Sequence, residues 1–105
     1  MFYVIYQEDR DDGAETIRAT YRQEHFAYLD RHRDILVLGG ALLGDDGIKR
    51  TGSCLIINVS GRNEAEDFSR NEPFRKAGLF KTIKITRMRR GQWNPSAAPA
   101  TAEGS

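Results

Sequence analysis

The stretch ILVLGGALLGDDGIKRTGSCLIINVS, residues 35–60, decides the fold. Its first part, Ile35 to Leu43, is a nearly continuous apolar run, which predicts a buried strand. Gly39 and Gly40 inside it mark a bulge or a close backbone approach. GDDGIK, residues 44–49, predicts a turn, with Asp45 and Asp46 as turn formers. Gly52 to Ser60 predicts the next strand, apolar on both faces, so both faces must be covered.

Outward from this hairpin the periodicity changes to that of helices. Upstream, Ile17, Tyr21, Tyr28 and Leu29 recur at helical spacing, with Phe26 at the edge of the stripe. This predicts a helix to about Arg33, opened by a capping box of Asp12 and Glu15. Before it, Phe2 to Gln7 is aromatic and β-branched and predicts a first strand. Downstream, a helix beginning near residues 60–63, with Asn63 and Glu66 as its capping box, carries Ala65 and Phe68 inward and stops before Pro73. PFRKAGLF then predicts a loop, and Phe80 to Arg89 a last strand.

The order β-α-β-β-α-β is ferredoxin-like: a four-stranded antiparallel sheet with two helices on one face. Two helices cover one face only. The strands look apolar on both, so the open face is expected to pack on a second copy of the chain as a homodimer. The domain is expected to span residues 1–90. Residues 91–105, rich in Ala, Pro, Ser and Gly, predict a flexible tail, with Trp93 as its anchor to the body.

Composition excludes several functions. The 105 residues suit one domain, and a net charge of +1 gives no global reason for nucleic-acid or membrane binding. No apolar run approaches the roughly 20 residues that span a bilayer. The N-terminus lacks the pattern of a secretory signal. Cys54, the single cysteine, cannot form an intrachain disulfide and reads as a small buried apolar residue. A cytoplasmic location is expected. Two histidines and one cysteine without metal-ligand spacing predict no metal site. The two glycines at 39 and 40 form no nucleotide fingerprint, so no cofactor is expected. Seven cations and no acid lie between Arg75 and Arg90, enough to draw an anionic small molecule, whereas nucleic acid is disfavoured.

His25 is the candidate for chemistry. It lies four residues after Tyr21, on the inward side of the first helix, and imidazole exchanges protons near neutral pH. His32, near the helix end, reads as structural. A catalytic base needs an orienting partner, and Glu8, Asp9 and Glu72 are the candidate carboxylates, with Glu72 held at a corner by Pro73.

MFYVIYQED, RQEHFAYL, LVLGGAL, TGSCLIINV and NEPFRKAGLFKTIKI together resemble the YCII-related (YciI-like) proteins over about residues 1–90. The resemblance implies a dimeric α+β barrel, two ferredoxin-like protomers packed sheet against sheet. It also implies an active site between the first helix and the sheet, with a histidine and an aspartate. The histidine matches His25. The aspartate of the family's D-P-[YF] motif is replaced by Glu72, before Pro73 and Phe74, with Asn71 as a neighbouring polar alternative. Where the family often has Gly-Pro, this chain has Gly40-Ala41. Related barrels include muconolactone isomerases and cofactor-free monooxygenases, whose theme is proton transfer on small oxygenated compounds.

Two functions follow as expectations. One is an isomerase- or lyase-like enzyme with His25 as general acid or base, Glu72 orienting it, Gly40 leaving room for substrate, and Tyr6 or Tyr21 donating to an oxyanion. The other is a non-catalytic metabolite-binding or protein-interaction module using Lys84, Arg87 or Arg89 of the last strand.

Overall fold

The computed structural model describes residues 1–104. Its elements are β1 (Phe2–Asp9), α1 (Ala14–Arg31), β2 (Leu36–Leu43), β3 (Arg50–Asn58), α2 (Arg62–Arg70), the single-turn α3 (Pro73–Lys76) and β4 (Phe80–Met88). The strands form one antiparallel sheet in the order β2-β3-β1-β4, the ferredoxin-like topology.

Strand alternation sorts the side chains between two faces. Tyr3, Ile5, Leu55 and Ile57 point to the helices and are buried with Tyr28 of α1 and Ala65 and Phe68 of α2. The register carries the same face across the sheet: Gly39, Leu55, Ile5 and Ile85 are neighbours in one row, and Ala41, Ser53, Gln7 and Ile83 in the next. The opposite face repeats this with Leu38, Ile56, Val4 and Thr86, then Gly40, Cys54, Tyr6 and Lys84. No helix covers that second face, and Leu38 is 66% exposed on it. Cys54 is therefore only half-buried, facing away from the core that the sequence suggested for it.

The bulge falls between Leu36 and Leu38, just before the glycine pair. A Cβ on Gly39 would stand 2.5 Å from Leu55 Cδ2, so glycine is what lets β2 pass over that leucine.

Several local expectations are corrected. Asp12 does not cap α1. Gly13 does, with φ 74° and no side-chain cap bond, because the chain enters the helix through a left-handed residue that glycine adopts without steric cost. The Asn63–Glu66 box is also absent. Instead Glu64 accepts from the Ser60 backbone N–H (3.2 Å) and hydroxyl (2.6 Å), while Glu66 pairs with Arg62 at 3.0 Å. The loop expected at PFRKAGLF begins as α3, with Pro at its start and Glu72 as its cap. Trp93 is 62% exposed and lies under the Arg90 guanidinium, 5.0 Å from the ring centre, not docked in the core. Among the described residues beyond β4, the only helical element is a 3₁₀ turn, Pro95–Ala97. No helix among the described residues is long and apolar enough to cross a membrane.

Candidate active site

Helical spacing aligns Arg18, Arg22, His25 and Leu29 along one side of α1, at successive steps of four, three and four. Opposite them lie the backbone of Gly39 to Ala41 and the side chains of Ser53 and Leu55. Between the two is a cavity of about 280 Å³, closed at one side by Phe74 of α3.

His25 lines this cavity and meets Glu72 behind it. His25 Nδ1 lies 2.5 Å from Glu72 Oε1, although 47 residues separate them. The glutamate side chain is 2% exposed and the imidazole 13%. The second oxygen, Oε2, accepts from the backbone N–H groups of Phe74 and Arg75. Oε2 thus faces two backbone donors, which suits an ionised carboxylate, an acceptor at both oxygens. Nδ1 must then carry a proton, and in neutral imidazole that leaves the lone pair on Nε2. The Phe74 ring stacks on the imidazole with centroids 4.1 Å apart and planes 17° from parallel, fixing its tilt.

The remaining polar groups are satisfied in pairs. Arg18 donates to Asp9 through Nε and Nη2, both at 2.8 Å, and Nη2 also reaches the Gly52 carbonyl at 3.0 Å. Both partners are buried. Gln7 Nε2 donates to Ser53 Oγ at 2.8 Å, which leaves the serine hydroxyl proton free to be given to something else. Tyr28 donates to the Phe68 carbonyl at 2.7 Å. Burial raises the Tyr28 pKa, and the Glu72 charge adds to the effect, so this phenol stays protonated in its structural bond. His32 Nδ1 is 2.8 Å from the Tyr28 carbonyl, at the end of α1.

The structure brings His25 and Glu72 together and runs the Gly40 backbone along their cavity, but residue 40 faces the uncovered side of the sheet, in the row of Cys54 and Tyr6, so a Cβ there would meet open space on that side and glycine makes no room for substrate. It does not bring in the tyrosines. Tyr6 lies on the other face of the sheet and donates to Glu8 at 2.9 Å, a bond that raises its pKa. Tyr21 is half-buried on α1 but does not line the cavity. The rival carboxylates are engaged elsewhere, Asp9 with Arg18 and Glu8 with Tyr6, and the Asn71 amide donates to the Asp67 carbonyl at 2.8 Å. Sequence reasoning missed Arg18, Arg22 and Ser53. The signal for the arginines was their spacing from His25, and for Ser53 its place two residues before Leu55, on the same face of the strand.

A larger groove of about 550 Å³ lies at the end of the sheet, where Tyr6, Glu8, Asp11, Lys49 and Lys81 mix both charges. Lys81 is paired there with Asp11 at 2.7 Å, which holds the aspartate below its ordinary pKa. Lys84, Arg87 and Arg89 are exposed and border neither cavity. Among the described residues no three His, Cys, Asp or Glu side chains converge as a metal site would require.

A comparison with curated proteins finds no match. Among solved structures, 5-chloro-2-hydroxyhydroquinone dehydrochlorinase (TftG) from Burkholderia phenoliruptrix AC1100, in complex with 2,5-dihydroxybenzoquinone, is 34% identical. The match covers 87% of this chain and 96% of that one, with a TM-score of 0.78. An antibiotic biosynthesis monooxygenase from Nitrosomonas europaea matches at 16% identity over 82% of this chain and 94% of its own, with a TM-score of 0.49. The family model of the YCII-related domain matches residues 1–89, and the chain belongs to the YCII-related family.

Proposed function

We propose that this protein is a small-molecule enzyme that moves a proton on an oxygenated ring of the hydroxyhydroquinone type, with His25 as general base and acid. The observation that carries the reading is the 2.5 Å contact of His25 Nδ1 with a buried carboxylate at the wall of a cavity. A base held by a carboxylate on one nitrogen and open on the other is the arrangement proton transfer needs. The similarity to a dehydrochlorinase supports the substrate class.

For 5-chloro-2-hydroxyhydroquinone the steps balance without an oxidant. His25 Nε2 takes the proton of the hydroxyl beside the C–Cl carbon and returns it to that carbon, which becomes tetrahedral. A second ring hydroxyl then loses its proton to Nε2 and its electrons pass through the ring. Chloride leaves with the C–Cl pair, and the ring ends as a hydroxyquinone. Glu72 keeps Nδ1 protonated and offsets the charge of the imidazolium between steps. The Ser53 hydroxyl supplies a hydrogen bond to the ring oxygen on which charge develops, the part assigned by sequence to Tyr6 or Tyr21. No cofactor is required by this scheme.

The test is chloride release from 5-chloro-2-hydroxyhydroquinone under nitrogen, so that autoxidation does not contribute. The protein is expected to release one chloride per quinone formed. Release no faster than in a protein-free blank would remove this substrate class.

The working form is proposed to be a homodimer, sheet against sheet, in a reducing, cytoplasmic setting that suits a lone cysteine. Leu38, Ile56 and Val4 form an apolar row on the uncovered face, and Met88 extends the patch. Light scattering should give twice the 11.9 kDa chain mass, and Leu38→Lys should return it to the monomer value. A monomeric wild-type protein would contradict the assembly.

A further inference from the structure

The His25 cavity is lined by three arginines and by no acid. They are not equivalent. Arg18 is neutralised by Asp9 through two bonds of 2.8 Å. Arg22 and Arg50 are exposed, and neither guanidinium has an ion pair or hydrogen bond with any described residue. Arg50 also borders the neighbouring groove, where Glu8, Asp9, Asp11 and Glu15 lie, yet none of these comes into pairing range of it.

Their place in the fold is the same end of the cavity. Arg22 stands about one helical turn before His25, toward the start of α1. Arg50 opens β3, three residues before Ser53, so both precede the reacting groups on their own elements. Two uncompensated guanidinium groups beside an otherwise apolar and aromatic pocket cost the protein self-repulsion and gain nothing in stability. Such groups match planar oxyanions, to which they can donate two parallel bonds.

We infer that Arg22 and Arg50 are specificity-determining residues that hold the ring in its planar oxyanion form, the form of the ionised hydroxyquinone product, with the ionised oxygen at the end of the ring away from His25. The inference rests on the reading of this cavity as the substrate site. A carboxylate and an ionised hydroxyquinone share this chemistry, because a hydroxyl conjugated to a quinone carbonyl is a vinylogous carboxylic acid and ionises at neutral pH. A neutral hydroquinone lacks it.

The experiment is calorimetric titration at pH 7 with three probes: 2,5-dihydroxybenzoquinone, benzoate and hydroquinone. Wild-type protein should bind the hydroxyquinone at least about tenfold more tightly than hydroquinone, a difference of about 1.4 kcal/mol. Arg22→Gln and Arg50→Gln should each weaken it about tenfold and flatten its salt dependence, with hydroquinone affinity unchanged. Both arginines are exposed, and unchanged melting curves would show that the variants fold. Benzoate binding as tightly as the hydroxyquinone would widen the class to simple carboxylates, with the same two residues responsible.

No binding by the wild type, equal binding of hydroquinone, or wild-type affinity in the double variant would each overturn the inference. Binding is read without turnover, so the two readings fail separately. Arginine-dependent binding without chloride release removes only the reaction. Chloride release with hydroxyquinone affinity unmoved in both variants removes only the anion rim.

Discussion

Replacement of His25 by asparagine is expected to lower turnover by about 10²–10⁴-fold with little change in stability. Asparagine is chosen because its side-chain N–H can stand where Nδ1–H stands and keep a donor on Glu72, while offering no proton acceptor in place of Nε2. Alanine would mix two effects, because it leaves a buried carboxylate oxygen without its donor, a loss of about 1–3 kcal/mol. Steady-state kinetics and a thermal melt on His25→Asn separate chemistry from folding. Turnover within a few-fold of wild type would show that the proton moves elsewhere. Glu72→Gln supplies the complement. The Phe74 and Arg75 N–H groups need an acceptor, so the glutamine carbonyl turns to them and its NH₂ faces His25. Nδ1 must then accept, and the proton shifts to Nε2. Imidazole ¹⁵N spectra should report this tautomer exchange together with a loss of turnover of similar size, whereas an unchanged tautomer would separate Glu72 from the catalytic role.

Arg18→Leu should destabilise the fold by about 3–5 kcal/mol. The pair it breaks is buried on both sides, and Asp9 would be left as an unpaired charge at the end of β1. The Gly52 carbonyl would also lose its donor, and the guanidinium 5.4 Å from the Phe74 ring centre would be gone. Urea denaturation measures the loss as a lower midpoint at constant slope. Removing both charges, in Asp9→Leu with Arg18→Met, should restore much of it, because apolar groups of similar volume avoid the desolvation cost. A double variant as unstable as the single one would mean that the Gly52 bond, not the charge pair, holds this end of the sheet. His25→Asn acts on rate and Arg18→Leu on stability, although the two residues sit on the same stripe of α1.

The periodicity of residues 35–60 and the helical spacing on either side determined the ferredoxin-like order, since hydrophobic burial acts on patterns that are local in the chain. The apolar run on both strand faces also left its trace in the uncovered face of the sheet. His25 was legible because a histidine on an inward helical stripe is chemically conspicuous. Glu72 was legible through its place before Pro73 and through family resemblance.

Only the tertiary structure decided which polar groups meet. Asp9 and Glu72 are both carboxylates near element ends, but the fold gives one to Arg18 and the other to His25. Tyr6 and Ser53 both lie on strands near the site, but the pleat sends Tyr6 to the open face and Ser53 to the cavity. Arg18 counts as polar in any periodicity, so the pattern could not reveal it as a buried residue. The helix caps escaped for a related reason: α1 is capped by Gly13 through a left-handed backbone angle and α2 by Gly61, without a capping side chain in either. Hydrophobic patterning is additive along the chain and survives in one dimension. A hydrogen bond depends on two groups arriving within about 3 Å, and 47 residues of intervening chain must fold before His25 and Glu72 do so.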